Sequence, residues 1–112
     1  GANNLIFCCY LRRMLTATTL TMTCAACPSQ WEGDFLDGRT FYIRYRWGGL
    51  SVRISDNVSD NYDDAVGGKE ILYLKHGDDM HGVLSSKEMQ ELTKHIINWS
   101  QIKLPPEETF EW

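Results

Sequence analysis

Three short stretches carry side chains whose types and spacing can do chemistry. "MTCAAC" sets the thiols of Cys24 and Cys27 three residues apart, close enough to share one soft metal ion or to form a redox pair. "HGDDMHG" gathers His76, Asp78, Asp79 and His81 within six residues, a set able to bind zinc or another divalent ion, or to hold a general base near its operating pKa. "FYIRYRWGGLSVR" carries Tyr42, Arg44, Arg46 and Arg53. Planar guanidiniums beside a phenol make a seat for phosphate, carboxylate or an extruded base.

Each stretch also has a plainer reading. "MTCAAC" resembles the Met-x-Cys-x-x-Cys signature of the soft-metal domains of copper chaperones and copper-transporting ATPases, and the resemblance implies Cu(I) held by Cys24 and Cys27. In that family a helix follows the second cysteine directly. Here Pro28 and then "SQWEGD" follow Cys27, and no amphipathic helix begins before Ser85. A redox pair needs the same helix start to lower its thiol pKa, so structural or incidental thiols are the stronger reading. Zinc would need two further ligands from Cys8, Cys9 or a histidine, and no spacing demands it. "HGDDMHG" reads equally as a polar turn, in which Gly77 and Gly82 handle the backbone and the Asp side chains bond nearby amides.

Carboxylates from the following loop, Asp56, Asp60, Asp63 and Asp64, can fold back on the arginines, or another subunit can supply the acid. Asp56, Asp60 and Asp64 recur every four residues, which does not match an EF-hand. "VGGKE" lacks the upstream Gly and the Ser or Thr of a phosphate loop. With no nucleophile elbow or dinucleotide fingerprint either, no cofactor is expected.

The elements that position these groups follow from periodicity. From Arg39 to Ser55, Phe41, Ile43, Tyr45 and Trp47 alternate with Tyr42, Arg44 and Arg46, and Leu50, Val52 and Ile54 resume the apolar face after Gly48-Gly49. This predicts a β-hairpin over 39–55 with the two glycines as its loop. That loop pairs Trp47 with Leu50, Tyr45 with Val52 and Ile43 with Ile54, and sets Arg44 opposite Arg53. Asp56 to Gly68 reads as a loop, and "EILYLK" (Glu70 to Lys75) as a third strand. Ser85 and Glu88 form a capping box that opens a helix to about Trp99, with Met89, Leu92, Ile96 and Trp99 on its apolar stripe. "LTATTLTMT" has strand propensity through its threonines. The aromatic tail, with Phe110 and Trp112 after Pro105-Pro106, is expected to dock.

The fold class expected is α+β: a small antiparallel sheet around the hairpin 39–55, with a C-terminal amphipathic helix packed across one face. Residues 1–21 read as an arm peripheral to the core, 22–104 as the single domain and 105–112 as a tail.

Eleven Lys and Arg against fifteen Asp and Glu give a net charge of -4 across 112 residues. That balance offers no support for general nucleic-acid binding. All four cysteines fall in the first quarter, a distribution that suits a reducing cytoplasm better than a secreted disulfide framework. The stretch from Asn4 to Met22 contains Arg12, Arg13 and several Thr residues, so no membrane anchor is expected; read as a signal peptide, it would have eleven residues of this sequence ahead of its basic pair.

"CPSQWEGDFLDGRTFYIRYRWGGLSVRIS" with "HGVLSSKEMQELT" resembles small bacterial proteins encoded by integron gene cassettes. The resemblance implies a bacterial, cytoplasmic, often oligomeric protein, and transfers no site residues. The function expected is a non-enzymatic binding or adaptor module, a homo-oligomer whose Tyr42, Arg44, Arg46 and Arg53 face meets an acidic protein or a small anionic ligand. The alternative is a metal-dependent hydrolase or metal sensor using His76, Asp79 and His81, or Cys24 and Cys27.

Overall fold

The computed structural model describes residues 15–26 and 28–102. Strands β2 (Thr21–Cys24), β3 (Ser29–Asp34), β4 (Thr40–Arg46), β5 (Gly49–Ile54) and β6 (Lys69–Lys75) form one antiparallel sheet, ordered along the chain as a meander. Two more short strands, β1 (Leu15–Thr16) and β7 (Ile97–Asn98), pair in parallel. The described helices are α1 (Asp63–Val66) and α2 (Ser86–Thr93). The α+β class with an antiparallel sheet is thus observed. None of the described helices is long and apolar enough to cross a membrane.

Period-two alternation decides which face of the sheet is covered. Trp31, Phe41, Ile43, Tyr45, Leu50 and Val52 are fully buried on the inner face. Leu84, Met89 and Ile97 join the same core. The buried indole of Trp31 donates to Ser86 Oγ at 2.7 Å, so β3 and α2 share a polar contact inside an apolar core. Gly33 lies where a Cβ would overlap the Thr19 carbonyl oxygen and the Phe41 ring.

The hairpin forms with a register different from the one expected. Tyr45 pairs with Leu50, Ile43 with Val52 and Phe41 with Ile54, while Arg53 lies opposite Tyr42 and Arg44 opposite Ser51. The loop is Trp47-Gly48, and both residues have positive φ, 51° and 74°, as a primed two-residue turn requires. Contacts remote in sequence select this register. The Gly48 carbonyl accepts from the amides of His76 and Gly77, its N–H donates to the His81 carbonyl, and a Cβ there would collide with the Gly77 and Asp78 carbonyls. Gly49 enters the strand instead, where the Tyr73 ring covers it.

Two further expectations are corrected. Helix α2 starts at its capping box, with the Glu88 amide donating to Ser85 Oγ at 3.0 Å, but it stops at Thr93 rather than near Trp99. Thr93 Oγ1 donates to the Met89 carbonyl and accepts from Trp99 Nε1, and the chain turns so that Ile97–Asn98 can pair with β1. The stretch from Asp56 to Gly68, expected as loop throughout, contains the single turn of α1, whose Ala65 is fully buried.

Residues 15–21, assigned to a peripheral arm by the sequence reading, pair as β1 and the start of β2 and contribute the fully buried Ala17. Cys8, Cys9, Cys27, Phe110 and Trp112 lie outside the described residues.

Candidate functional site

The outer face of the sheet is polar, and its side chains align in rows across the strands. Nearest the hairpin tip, Arg46, Gly49 and Lys75 are in register. Next come Cys24, Gln30, Arg44, Ser51 and Tyr73, then Thr21, Glu32, Tyr42, Arg53 and Glu70. At the far end Asp34 lies opposite Thr40, and the Tyr62 hydroxyl closes over this corner by donating to Asp34 Oδ2 at 2.9 Å. All four expected site residues, Tyr42, Arg44, Arg46 and Arg53, are therefore on one face.

Burial is the main cause that pushes the Tyr42 phenol above its ordinary pKa, opposed by the Arg44 charge and by a hydrogen bond with Gln30. The Arg46 guanidinium stacks 4.0 Å from the centre of the Trp47 ring, a cation–π contact. Arg53 Nη1 donates to the Gly68 carbonyl at 3.3 Å.

Of the two sources of acid open to the arginines, fold-back of the acidic loop is not seen. Among the described residues no carboxylate oxygen comes within 4.0 Å of Arg44, Arg46 or Arg53. Asp64 instead accepts from the Ser59 hydroxyl. Asp56, Asp63 and Asp64 line a cavity of about 390 Å3 that Val58 also borders. Beside it, burial first, then the charges of Asp63 and Asp34, hold the Glu32 carboxyl above its ordinary range.

The turn at 76–82 is organised around Tyr45. The Tyr45 hydroxyl and His81 Nδ1 are 2.6 Å apart, and the His76 ring sits edge-on to Tyr45 at 6.1 Å between centroids. His76 Nε2 lies 3.8 Å from Glu88 Oε2, at a cavity of about 340 Å3 that Leu92 also lines. Asp79 does not join the histidines: its carboxylate pairs with Lys75 Nζ at 2.6 Å, which lowers its pKa through that hydrogen bond. Cys24 Sγ donates to the Ala26 carbonyl. Among the described residues no three His, Cys, Asp or Glu side chains converge to hold a metal ion. The metal candidates Cys24, His76, Asp79 and His81 are thus not brought together, and Cys27 lies outside the described residues.

Two features of the site escaped the sequence reading. Glu32 and Asp34 share the face with the arginines because "SQWEGD" is a strand; its alternation of Trp31 and Gly33 with Gln30, Glu32 and Asp34 was the available signal. Trp47, expected on the buried side, is 60% exposed at the hairpin tip. No protein family, curated protein or solved structure matches this chain.

Proposed function

We propose that the protein is a non-enzymatic binding module, working as a homo-oligomer in the cytoplasm, whose open sheet face receives an acidic protein or a small anionic ligand. On this reading helix α2 closes the core side of the sheet and leaves the other side to the partner. The observation that carries it is the alignment of Tyr42, Arg44, Arg46 and Arg53 on one face, with no carboxylate within 4.0 Å of the three guanidiniums among the described residues. A guanidinium gains most from carboxylate or phosphate where the geometry is fixed. Arg44 and Arg53 are half-buried in the pleat, and Arg46 is braced by Trp47. A module of this kind suits the cassette-encoded proteins that the sequence resembles.

The metal-dependent alternative has less support, since Asp79 is committed to Lys75 and His81 to Tyr45.

Titration of the 15N-labelled full chain with a glutamate-rich peptide, and separately with inorganic phosphate, tests the reading. Amide shifts at Tyr42, Arg44, Ser51 and Arg53 that vanish in an Arg44→Ala/Arg53→Ala variant are the expected outcome. Shifts centred instead on His76 and His81, or none with either probe, would sink it.

A further inference from the structure

Charge is unevenly placed along the open face. The two rows nearest the hairpin tip carry Arg46, Lys75 and Arg44 and no acidic residue of their own; the Glu70 carboxylate reaches into the second row to accept from the Ser51 hydroxyl at 2.7 Å. Asp79 takes up Lys75, which leaves the two arginines as the cations of this end. The rows at the opposite end carry Glu32, Glu70 and Asp34 around a single cation, Arg53. Asp63 and Asp64 of α1 add to the acidic end, since α1 packs on β4 and β5. Four residues of strand separate Arg46 from Tyr42, roughly 13 Å at the usual rise, so both ends fit within one docking footprint.

Exposed apolar side chains accompany both ends. Trp47 and Tyr73 stand at the basic tip, 60% and 61% exposed; Val58 and Val66 stand at the acidic end, 74% and 45% exposed. Trp47 moreover holds a left-handed φ of 51°, costly for a bulky residue. The loop at 76–81 and the Lys75 side chain clamp this turn through four hydrogen bonds to Trp47 and Gly48, among them Lys75 Nζ to the Trp47 carbonyl at 2.9 Å. An aromatic ring and an arginine presented rigidly on a tip have the composition of an interface anchor.

We propose that the partner of this face is a second copy of the same chain, docked face to face and turned end for end, so that Arg46 and Trp47 of each protomer meet Asp56, Asp63 and Asp64 of the other. The inference rests on the reading above, that the basic face receives an acidic partner, and identifies that partner with the protein's own acidic end. A surface with opposite charges at its two ends is self-complementary under a two-fold axis that lies in the plane of the interface, perpendicular to the line joining the two ends. Each arginine then finds the carboxylates it lacks among the described residues of its own chain. The like-charge crowding around Glu32 is relieved by the same contact.

Sedimentation velocity on the full chain, with two charge reversals, is the test. Wild type is expected to run as a dimer that dissociates as salt rises from about 0.05 to about 0.5 M, because exposed ion pairs are screened. Arg46→Glu, and separately Asp63→Arg/Asp64→Arg, should each weaken association at least about tenfold, roughly 1.4 kcal/mol, with circular dichroism unchanged. Mixed one to one, the two variants should recover a dimer, since one contact is then native and the other charge-reversed. A monomeric wild type, single variants that stay dimeric, or no recovery on mixing would each overturn the self-docking. Binding of a glutamate-rich peptide to wild type separates the two levels: a monomer that binds it through Arg44 and Arg46 refutes only the self-docking, whereas a monomer that does not bind refutes the binding-module reading as well.

Discussion

Glu32 shows how a single residue reports its surroundings. Burial and the charges of Asp63 and Asp34 disfavour its ionised form, so the folded state holds this proton more tightly than the unfolded chain does. A raised carboxyl pKa contributes stability that is complete below the unfolded pKa and is lost as pH rises through the folded one. Glu32→Gln, compared with wild type at concentrations too low for self-association, should match it in melting temperature below about pH 4. The variant should melt higher at pH 7. Equal melting across the range would show that the carboxylate is not crowded. Tyr45 offers a contrast: its phenol is also pushed up, chiefly by burial, but there His81 stands at hydrogen-bond distance and the buried oxygen is satisfied.

Among the elements, the hairpin β4–β5 carries both the site and the largest departure from expectation. Alternation alone placed Tyr42, Arg44, Arg46 and Arg53 on the outer face, which is why these residues were legible in the sequence. Alternation did not set which residues turn, because loops at Trp47-Gly48 and Gly48-Gly49 keep the same side chains inward apart from Trp47 and otherwise differ only in pairing. The clamp from His76, Gly77 and His81 on Gly48 made that choice. A Trp at left-handed φ costs on the order of 1–3 kcal/mol, offset in part by about 0.5–1 kcal/mol from the Arg46 stack. Trp47→Asn, a residue that tolerates this conformation, should therefore stabilise the monomer by about 1 kcal/mol in urea denaturation while weakening self-association. A less stable variant would show that the ring contributes more to its own fold than to a partner.

On the scale of the whole molecule, the chain's two described ends meet. Leu15 and Ala17 donate to the carbonyls of Ile96 and Asn98, and Thr18 and Thr19 bind Asp34 through their hydroxyls. Ala17 and Ile97 are buried together in the core cluster. Shortening the chain to begin at Met22 removes β1 and Ala17, and is expected to abolish the cooperative thermal transition seen by near-ultraviolet circular dichroism. A truncated chain that melts as sharply as the full one would return residues 15–21 to the status of an arm. The parallel pairing of β1 with β7 joins residues some eighty positions apart, and neither two-residue strand has a pattern of its own to announce it.

What the amino-acid sequence determined by itself was whatever depends on neighbours along the chain. Period-two alternation made the hairpin, a short run of strand formers made β6, the Ser85–Glu88 box started α2, and the arginines fell on one face because each alternates with inward apolar residues of its own strand. Tertiary structure decided everything that joins distant segments: the hairpin register, through the turn at 76–81; the end of α2 at Thr93, through Trp99 and β1; and the company the arginines keep. Glu32 and Asp34 reach that face only because β3 lies beside β4. The physical reason is common to these cases. Backbone propensity and side-chain periodicity act over a few residues, whereas register, helix length and the balance of charge on a surface are settled by packing and electrostatics between segments whose separation along the chain carries no signal.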